Sequence, residues 1–186
     1  MNLRRILEKD AALSCALQLR SRSFPMYPAA VFFAHAGDSW FCLLVLLLIY
    51  IFAGPVWKVR TGTMGIVVFE LALMVVVLKL LFKRRRPPGE WGQIYRSTDP
   101  HSFPSGHAAR TFLLATLAVS FGPPWLAVVL WIWAPLVSLS RIALGVHYVS
   151  DIVAGIALGI ATAAVFMMLL PAFEPALNAF LLSPFK

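Results

Sequence analysis

The chain has 186 residues, of which 60% are hydrophobic and 13% charged; soluble domains run at roughly 45–50% and 25%. With a mean hydropathy of +0.82, this excludes an ordinary soluble domain and implies a membrane protein. The formal net charge of +8 would suggest nucleic acid in a soluble protein. Beside apolar segments it points instead to anionic lipid headgroups, so lipid and not nucleic acid is the expected partner.

Arg4 and Arg5 could open a signal peptide, but Glu8, Lys9 and Asp10 interrupt the apolar region that should follow. Residues 3–20 read as an amphipathic helix lying in the membrane interface. Leu3, Ile6, Leu7, Leu13 and Leu17 share one face, Arg4, Arg5, Glu8 and Arg20 the other, and Asp10 spoils the apolar side. In 24–38, Pro25 and Pro28 precede a short apolar run that ends at Gly37-Asp38-Ser39, a break followed by a helix cap. That run is a re-entrant piece or an extra half-turn of the first span.

Five apolar segments approach the roughly 20 residues that cross a bilayer. They are 39–57, 61–82, 105–122, 125–139 and 148–170. In the first, Trp40 and Trp57 would stand about 25 Å apart, as interface anchors do. A long polar loop, 83–104, separates the second span from the third; Pro123-Pro124 leave almost no loop after the third; Pro171 closes the fifth. The expected fold is an all-α, polytopic transmembrane helix bundle of about five spans plus the interfacial helix. Its parts are an interfacial helix (1–22), a membrane-embedded catalytic domain (24–170) and a frayed C-terminal tail (171–186). The cysteines, Cys15 and Cys42, lack metal-ligand spacing and read as small apolar residues.

Each crossing reverses the side of the membrane. Lys79 and Arg86 at the end of the second span, Ser105-Gly106-His107 opening the third, Arg141 ending the fourth, and His147 and Asp151 opening the fifth therefore return to one face. Pro104-Ser105-Gly106-His107 begins a helix whose first N–H groups and dipole make an anion site, and Gly106 allows close approach. Lys79, Arg86 and Arg141 supply cations for phosphate oxygens. His147 and Asp151 are spaced i, i+4 and are expected on one helix face, where the carboxylate fixes the imidazole tautomer. His107 approaches from another helix and can protonate a departing oxygen.

Lys79–x6–Arg86-Pro87, Pro104-Ser105-Gly106-His107 and Ser140-Arg141–x5–His147–x3–Asp151 resemble the three signature motifs of the type 2 phosphatidic acid phosphatase (PAP2) superfamily. The likeness covers roughly residues 70–165. It implies a haloperoxidase-like helical core, a lipid phosphatase working through a phosphohistidine, and no metal or other cofactor. By that carry-over His147 is the nucleophile, Asp151 its partner and His107 the acid, while Lys79, Arg86, Ser105, Gly106 and Arg141 bind phosphate. The vanadium haloperoxidases share these motifs but are soluble, and the apolar spans argue against them. Lys83-Arg84-Arg85-Arg86-Pro87 and Ser102-Phe103-Pro104-Ser105-Gly106-His107 with Arg110 look like the polyisoprenoid diphosphate phosphatase branch, which favours a polyprenyl diphosphate. The alternatives are a phosphatidic acid or phosphatidylglycerophosphate phosphatase and, in another class, a non-catalytic lipid-phosphate binding or flipping protein.

Other residues carry plainer readings. Arg110 is a candidate contact for a second phosphate or a side chain snorkelling to headgroups. Glu70, inside the second span, is expected to pair with a polar group in the bundle. His35 and Asp38 could line the mouth of the site, with a capping role for Asp38 as the alternative. His101 reads as a solvated loop residue. Gly155 and Gly159, continued by Ala163, give a smooth face for helix packing. Trp125, Trp131 and Trp133 read as belt or lipid-facing residues. Thirteen of the 16 Lys and Arg fall on the active-site face; Lys58, Arg60 and Lys186 fall opposite. The positive-inside rule then places the site on the cytoplasmic side, in a bacterial cell membrane as the expected location.

Overall fold

In the computed structural model, residues 3–19, 24–89, 91 and 99–183 are described. Arg20, Arg22, Arg96 and Lys186, used in the charge argument, and the boundary expected near residue 22 lie outside them. The described residues form α1 (Leu3–Ala16), α2 (Tyr27–Ala36), α3 (Ser39–Phe52), α4 (Pro55–Phe82), α5 (Gly106–Phe121), α6 (Pro124–Ala143) and α7 (Val149–Leu182).

α5 is the centre of the bundle. Ala108, Ala109, Leu113, Ala115, Leu117 and Ala118 are all buried, and α6 and α7 pack on it. A Cβ added at Gly159 would lie 2.1 Å from the carbonyl oxygen of Ala109, and one at Gly155 2.5 Å from that of Ser105. The expected small-residue face on α7 is therefore present, and it lets α7 approach the backbone of α5. Many large apolar side chains point outward, among them Phe52, Phe69, Leu81, Val119 and Met168, as suits a lipid solvent. The helices α4, α6 and α7 are each long and apolar enough to cross a membrane, and α2 with α3, bent by 55°, can form a fourth crossing. At 16 residues, α5 spans about 24 Å.

Several expected boundaries are corrected. The first span does not run from 39 to 57. Helix α3 ends at Phe52, and Pro55 starts α4, because proline lacks an N–H and disfavours helical backbone before it. Trp57 thus belongs to α4 and does not pair with Trp40 along one helix. The fifth span does not stop at Pro171: α7 continues through Pro171 and Pro175 to Leu182. Its far end is tied to α3 by the Tyr50 hydroxyl, which donates to the Leu181 carbonyl at 2.8 Å. Prolines are tolerated in membrane helices where neighbours supply such contacts. Residues 27–36 form a separate helix whose Ala34 is buried against Leu144 and Val146.

Glu70 is exposed on the outside of α4 and is not turned into the bundle. Trp125 and Trp131 are exposed as expected, Trp131 standing edge-on to Phe112, whereas Trp133 packs against the core. Cys42 is buried as expected, whereas Cys15 is exposed. His101 is half-buried and bridged to Arg85, not a free loop residue. In α1, Ile6, Leu7, Leu13 and Leu17 are all exposed, so these apolar side chains are turned away from the protein.

Candidate active site

Four local devices bring the expected polar clusters together. Helix α4 ends because Lys83 turns left-handed (φ 46°) and its N–H closes on the Lys79 carbonyl at 2.9 Å. The chain then runs antiparallel to residues 101–102. Arg85 bridges His101, and the Ser102 N–H donates to the Arg84 carbonyl at 2.8 Å. Ser105 caps α5, its Oγ accepting the Ala108 N–H, and its own N–H donates to the Asp151 carbonyl at 3.0 Å. After α6, a turn through Gly145 (φ 68°) folds back so that the Val146 and His147 N–H groups both donate to the Arg141 carbonyl, at 2.9 and 3.2 Å.

The result is a cavity of about 180 Å³ lined by Lys79, Arg86, Asp99, Gly106, His107, Arg110, Arg141 and His147. Val68, Leu71, Ala72, Val75 and Val76 of α4 form its apolar wall. A larger opening, about 510 Å³, lies beside Pro55, Arg60 and Glu174, but no histidine lines it. The structure therefore gathers the residues picked out from sequence, with qualifications. Ser105 is fully buried beneath the cavity and is occupied as the α5 cap; the cavity wall is reached by Gly106 next to it. Asp151 is likewise buried behind His147.

His147 does not share a helix face with Asp151. It sits in the turn before Tyr148, the N-cap of α7, and Asp151 is the third residue of the helix. The two meet because Asp151 reaches back: its Oδ2 accepts the Tyr148 N–H at 2.9 Å and stands 3.5 Å from His147 Nδ1. That separation is an ion-pair distance, longer than a hydrogen bond. On the other side of the ring, Arg86 Nη1 lies 3.2 Å from Nε2. A guanidinium can only donate, so Nε2 carries the lone pair and Nδ1 the proton. Burial, together with the charges of Arg86 and Arg141, pushes His147 down to about 4 against the pull of Asp151. The imidazole is thus neutral at neutral pH and acquires a proton only in acid. The acid limb of kcat/KM is therefore expected to fall as pH drops through about 4, since that profile reports the free protein. Titration of the His147 ring itself, followed by NMR, near the unperturbed histidine value of about 6.5 would contradict this environment.

Asp99 bridges two of the cations: Lys79 Nζ donates to its carboxylate, and Arg86 reaches Asp99 through Nη2 (2.7 Å) and Nε to the backbone carbonyl (2.7 Å). Arg141 is fully buried at the end of α6. Arg84 points away from the cavity. It donates to Asp151 Oδ1 at 2.7 Å, Asp10 at 2.6 Å and Ser150 Oγ at 2.6 Å, and lies over the Tyr148 ring. Lys83 and Arg85 are exposed. Arg110 is buried and does not snorkel; its Nη1 donates to Ser39 Oγ at 2.7 Å and its Nη2 to the Gly37 carbonyl.

Sequence reasoning missed Asp10 and Ser14 as parts of this end of the bundle, and it placed Arg84 there as a phosphate contact and not as the partner of Asp10 and Asp151. Asp10 accepts the Ser150 N–H at 3.0 Å, and Ser14 Oγ the Val149 N–H at 2.9 Å. Helix α1 thus supplies caps for the start of α7. The signal was Asp10 itself, a carboxylate on the wrong face of an amphipathic helix. Asp38 does not use its side chain to cap α3; its Oδ1 lies 2.8 Å from His107 Nε2 and its Oδ2 3.1 Å from His35 Nδ1.

The family model described as the PAP2 superfamily matches residues 40–174. The chain is 36% identical, over 71% of its length and 73% of the relative's, to a decaprenylphosphoryl-5-phosphoribose phosphatase of Mycobacterium tuberculosis. It is 31% identical, over 69% of its length and 63% of the relative's, to an undecaprenyl-diphosphatase of Sulfolobus acidocaldarius. A crystal structure of a transmembrane PAP2-type phosphatidylglycerolphosphate phosphatase from Bacillus subtilis superposes with a TM-score of 0.70 at 26% identity, covering 88% of this chain and 85% of that one.

Proposed function

The chain belongs to the PAP2 superfamily, and from that membership we propose that it hydrolyses a phosphate ester of a membrane lipid through a phosphohistidine on His147, without a metal. The observation that carries this reading is the lone pair on His147 Nε2, set by Arg86, in a cavity that also holds Lys79, Arg141, Gly106 and His107. Nε2 attacks phosphorus, the bond to the lipid oxygen breaks, and His107 gives that oxygen a proton. Asp151 supports the positive imidazole ring. Water then attacks phosphorus as His107 takes its proton, the bond from phosphorus to Nε2 breaks, and inorganic phosphate leaves. Lys79, Arg86 and Arg141 hold the phosphoryl oxygens as charge spreads onto them.

The expectation of a diphosphate rested on Lys83, Arg84, Arg85 and Arg110. Two of these are exposed, Arg84 is paired with Asp10 and Asp151, and Arg110 is bonded to Gly37 and Ser39. Arg110 lines the cavity but is turned to the bend at Gly37 and Ser39, which leaves Lys79, Arg86 and Arg141 as the cations we assign to one phosphoryl group. We therefore assign a polyprenyl-linked phosphate monoester as substrate, its chain leaving along the apolar stripe of α4; the decaprenylphosphoryl-5-phosphoribose phosphatase supports that choice by likeness. Phosphate release in detergent or liposomes, with EDTA present, tests the reading on a panel of lipid mono- and diphosphates. Monoesters turning over fastest is the expected result. Dependence on a divalent ion, or lipid-phosphate binding without release, would overturn it.

The active-site face is assigned to the cytoplasmic side, at the inner leaflet. Helix α1, with Arg5 and Lys9, is fastened to that face by Asp10 and Ser14, so its charges count there. A cysteine at exposed Pro88, in a variant lacking Cys15 and Cys42, is expected to resist an impermeant maleimide in cells or spheroplasts. Labelling before lysis would put the site outside.

A further inference from the structure

A second histidine–carboxylate pair faces the first across the cavity. Asp38 occupies the N-cap position of α3, where an aspartate ordinarily accepts an N–H of the first turn. It makes no such bond. One carboxylate oxygen instead lies 2.8 Å from His107 Nε2, and the other 3.1 Å from Nδ1 of exposed His35. The bend that carries Asp38 is held from both sides. Arg110, one turn beyond His107, donates to the Gly37 carbonyl and to Ser39 Oγ, the residues flanking Asp38. Gly37 is pressed against the same ring: a Cβ there would lie 3.2 Å from His107 Cδ2 and 2.4 Å from Val137 Cγ1.

We propose that Asp38 is a positioning residue for the acid step: it fixes the His107 ring and stabilises its imidazolium, with His35 holding the outer carboxylate oxygen. The proposal rests on the phosphatase reading above. Its physical basis is simple. With Asp38 accepting at Nε2, Nδ1 is the nitrogen left to donate to the departing lipid oxygen. Arg110 and Arg141 both set positive charge against the ring, so a protonated imidazole there needs a carboxylate counter-charge. When Nδ1 gives up its proton, the Nε2–H stays on Asp38, and Nδ1 is ready to take the proton of the attacking water in the second step.

The reading separates this role from a structural one by leaving group. A lipid alkoxide needs a proton as it departs; p-nitrophenolate does not. In Asp38→Asn, single-turnover cleavage of a lipid monophosphate is expected to fall at least about 30-fold, within the usual reach of general-acid catalysis. The burst of p-nitrophenol from p-nitrophenyl phosphate, which reports only phosphorylation of His147, is expected to stay within about 3-fold, with KM for the lipid little changed. His35→Asn, at an exposed position, is expected to show the same selectivity more weakly, and covers the case in which Asp38→Asn does not fold. Equal losses on both substrates in the variants, or no loss on either, would overturn the proposal. A wild-type protein that cleaves neither substrate would instead overturn the phosphatase reading itself.

Discussion

Replacing His147 with asparagine is expected to reduce phosphate release at least about 10⁴-fold, since removal of a nucleophile that acts within a coupled set removes nearly the whole chemical advantage. The side chain that remains is polar and close in size, and it can still meet Arg86, so the cation set should persist. Vanadate or phosphate should therefore still bind the variant and raise its melting temperature. This combination distinguishes lost chemistry from lost folding. Asp151→Asn makes a useful contrast. It removes the charge behind Nδ1, but it also takes away one oxygen from Arg84 and weakens the reach-back to the Tyr148 N–H. Its effect should thus combine a large rate loss with a measurable drop in stability, whereas His147→Asn should show the rate loss alone.

The second large effect is expected at Arg86, where lysine should not substitute. Arg86 is buried and directs Nη1 to His147 Nε2 and the Val146 carbonyl, Nε to the Asp99 carbonyl and Nη2 to the Asp99 carboxylate. A single ammonium cannot donate along all of these directions. Arg86→Lys should therefore lose its hold on the His147 tautomer as well as two contacts for phosphoryl oxygens. A fall in kcat of about 10²–10³-fold is expected, the usual consequence of removing one buried donor aimed at transition-state charge. Lys79→Arg, at the edge of the same clamp, should cost less, because it keeps the charge and can keep the ion pair with Asp99. Equal activity of Arg86→Lys and wild type would show that the bidentate geometry is unimportant.

The parts of this molecule legible from sequence were those written in local patterns. Pro104-Ser105-Gly106-His107 announced a capped helix start, and Ser105 does cap α5. The small residues of α7 announced close packing, and Gly155 and Gly159 lie on the α5 backbone. Counting crossings placed Lys79, Arg86, His107, Arg141 and His147 at one end, and one cavity gathers them. What was not legible depended on chain pairs far apart in sequence. Asp10 and Ser150 are 140 residues apart, Arg84 and Asp151 67, and Asp38 and His107 69. No periodicity connects such pairs. Their traces were local oddities: a carboxylate on the apolar side of α1, and an N-cap aspartate followed by a span. The error over Arg84 has the same origin. A run of four basic residues reads as one charged surface, but Lys83 turns left-handed and the next three side chains diverge, to Asp10 and Asp151, to solvent and into the cavity. The boundary errors arose from treating prolines uniformly. Pro55 breaks the chain where Gly54 precedes it, while Pro171 and Pro175 are accommodated inside α7, whose end is anchored through Leu181.

The central claim is that His147 Nε2 becomes covalently phosphorylated. It is tested most directly by mixing the purified protein with a phosphate-labelled lipid monoester, quenching within one turnover under alkaline denaturing conditions, and locating the label by mass spectrometry of the peptides. The account predicts phosphate on His147, stable to alkali and lost in acid, and absent from His147→Asn. Label on another residue, or full turnover with no labelled protein at any quench time, would contradict it.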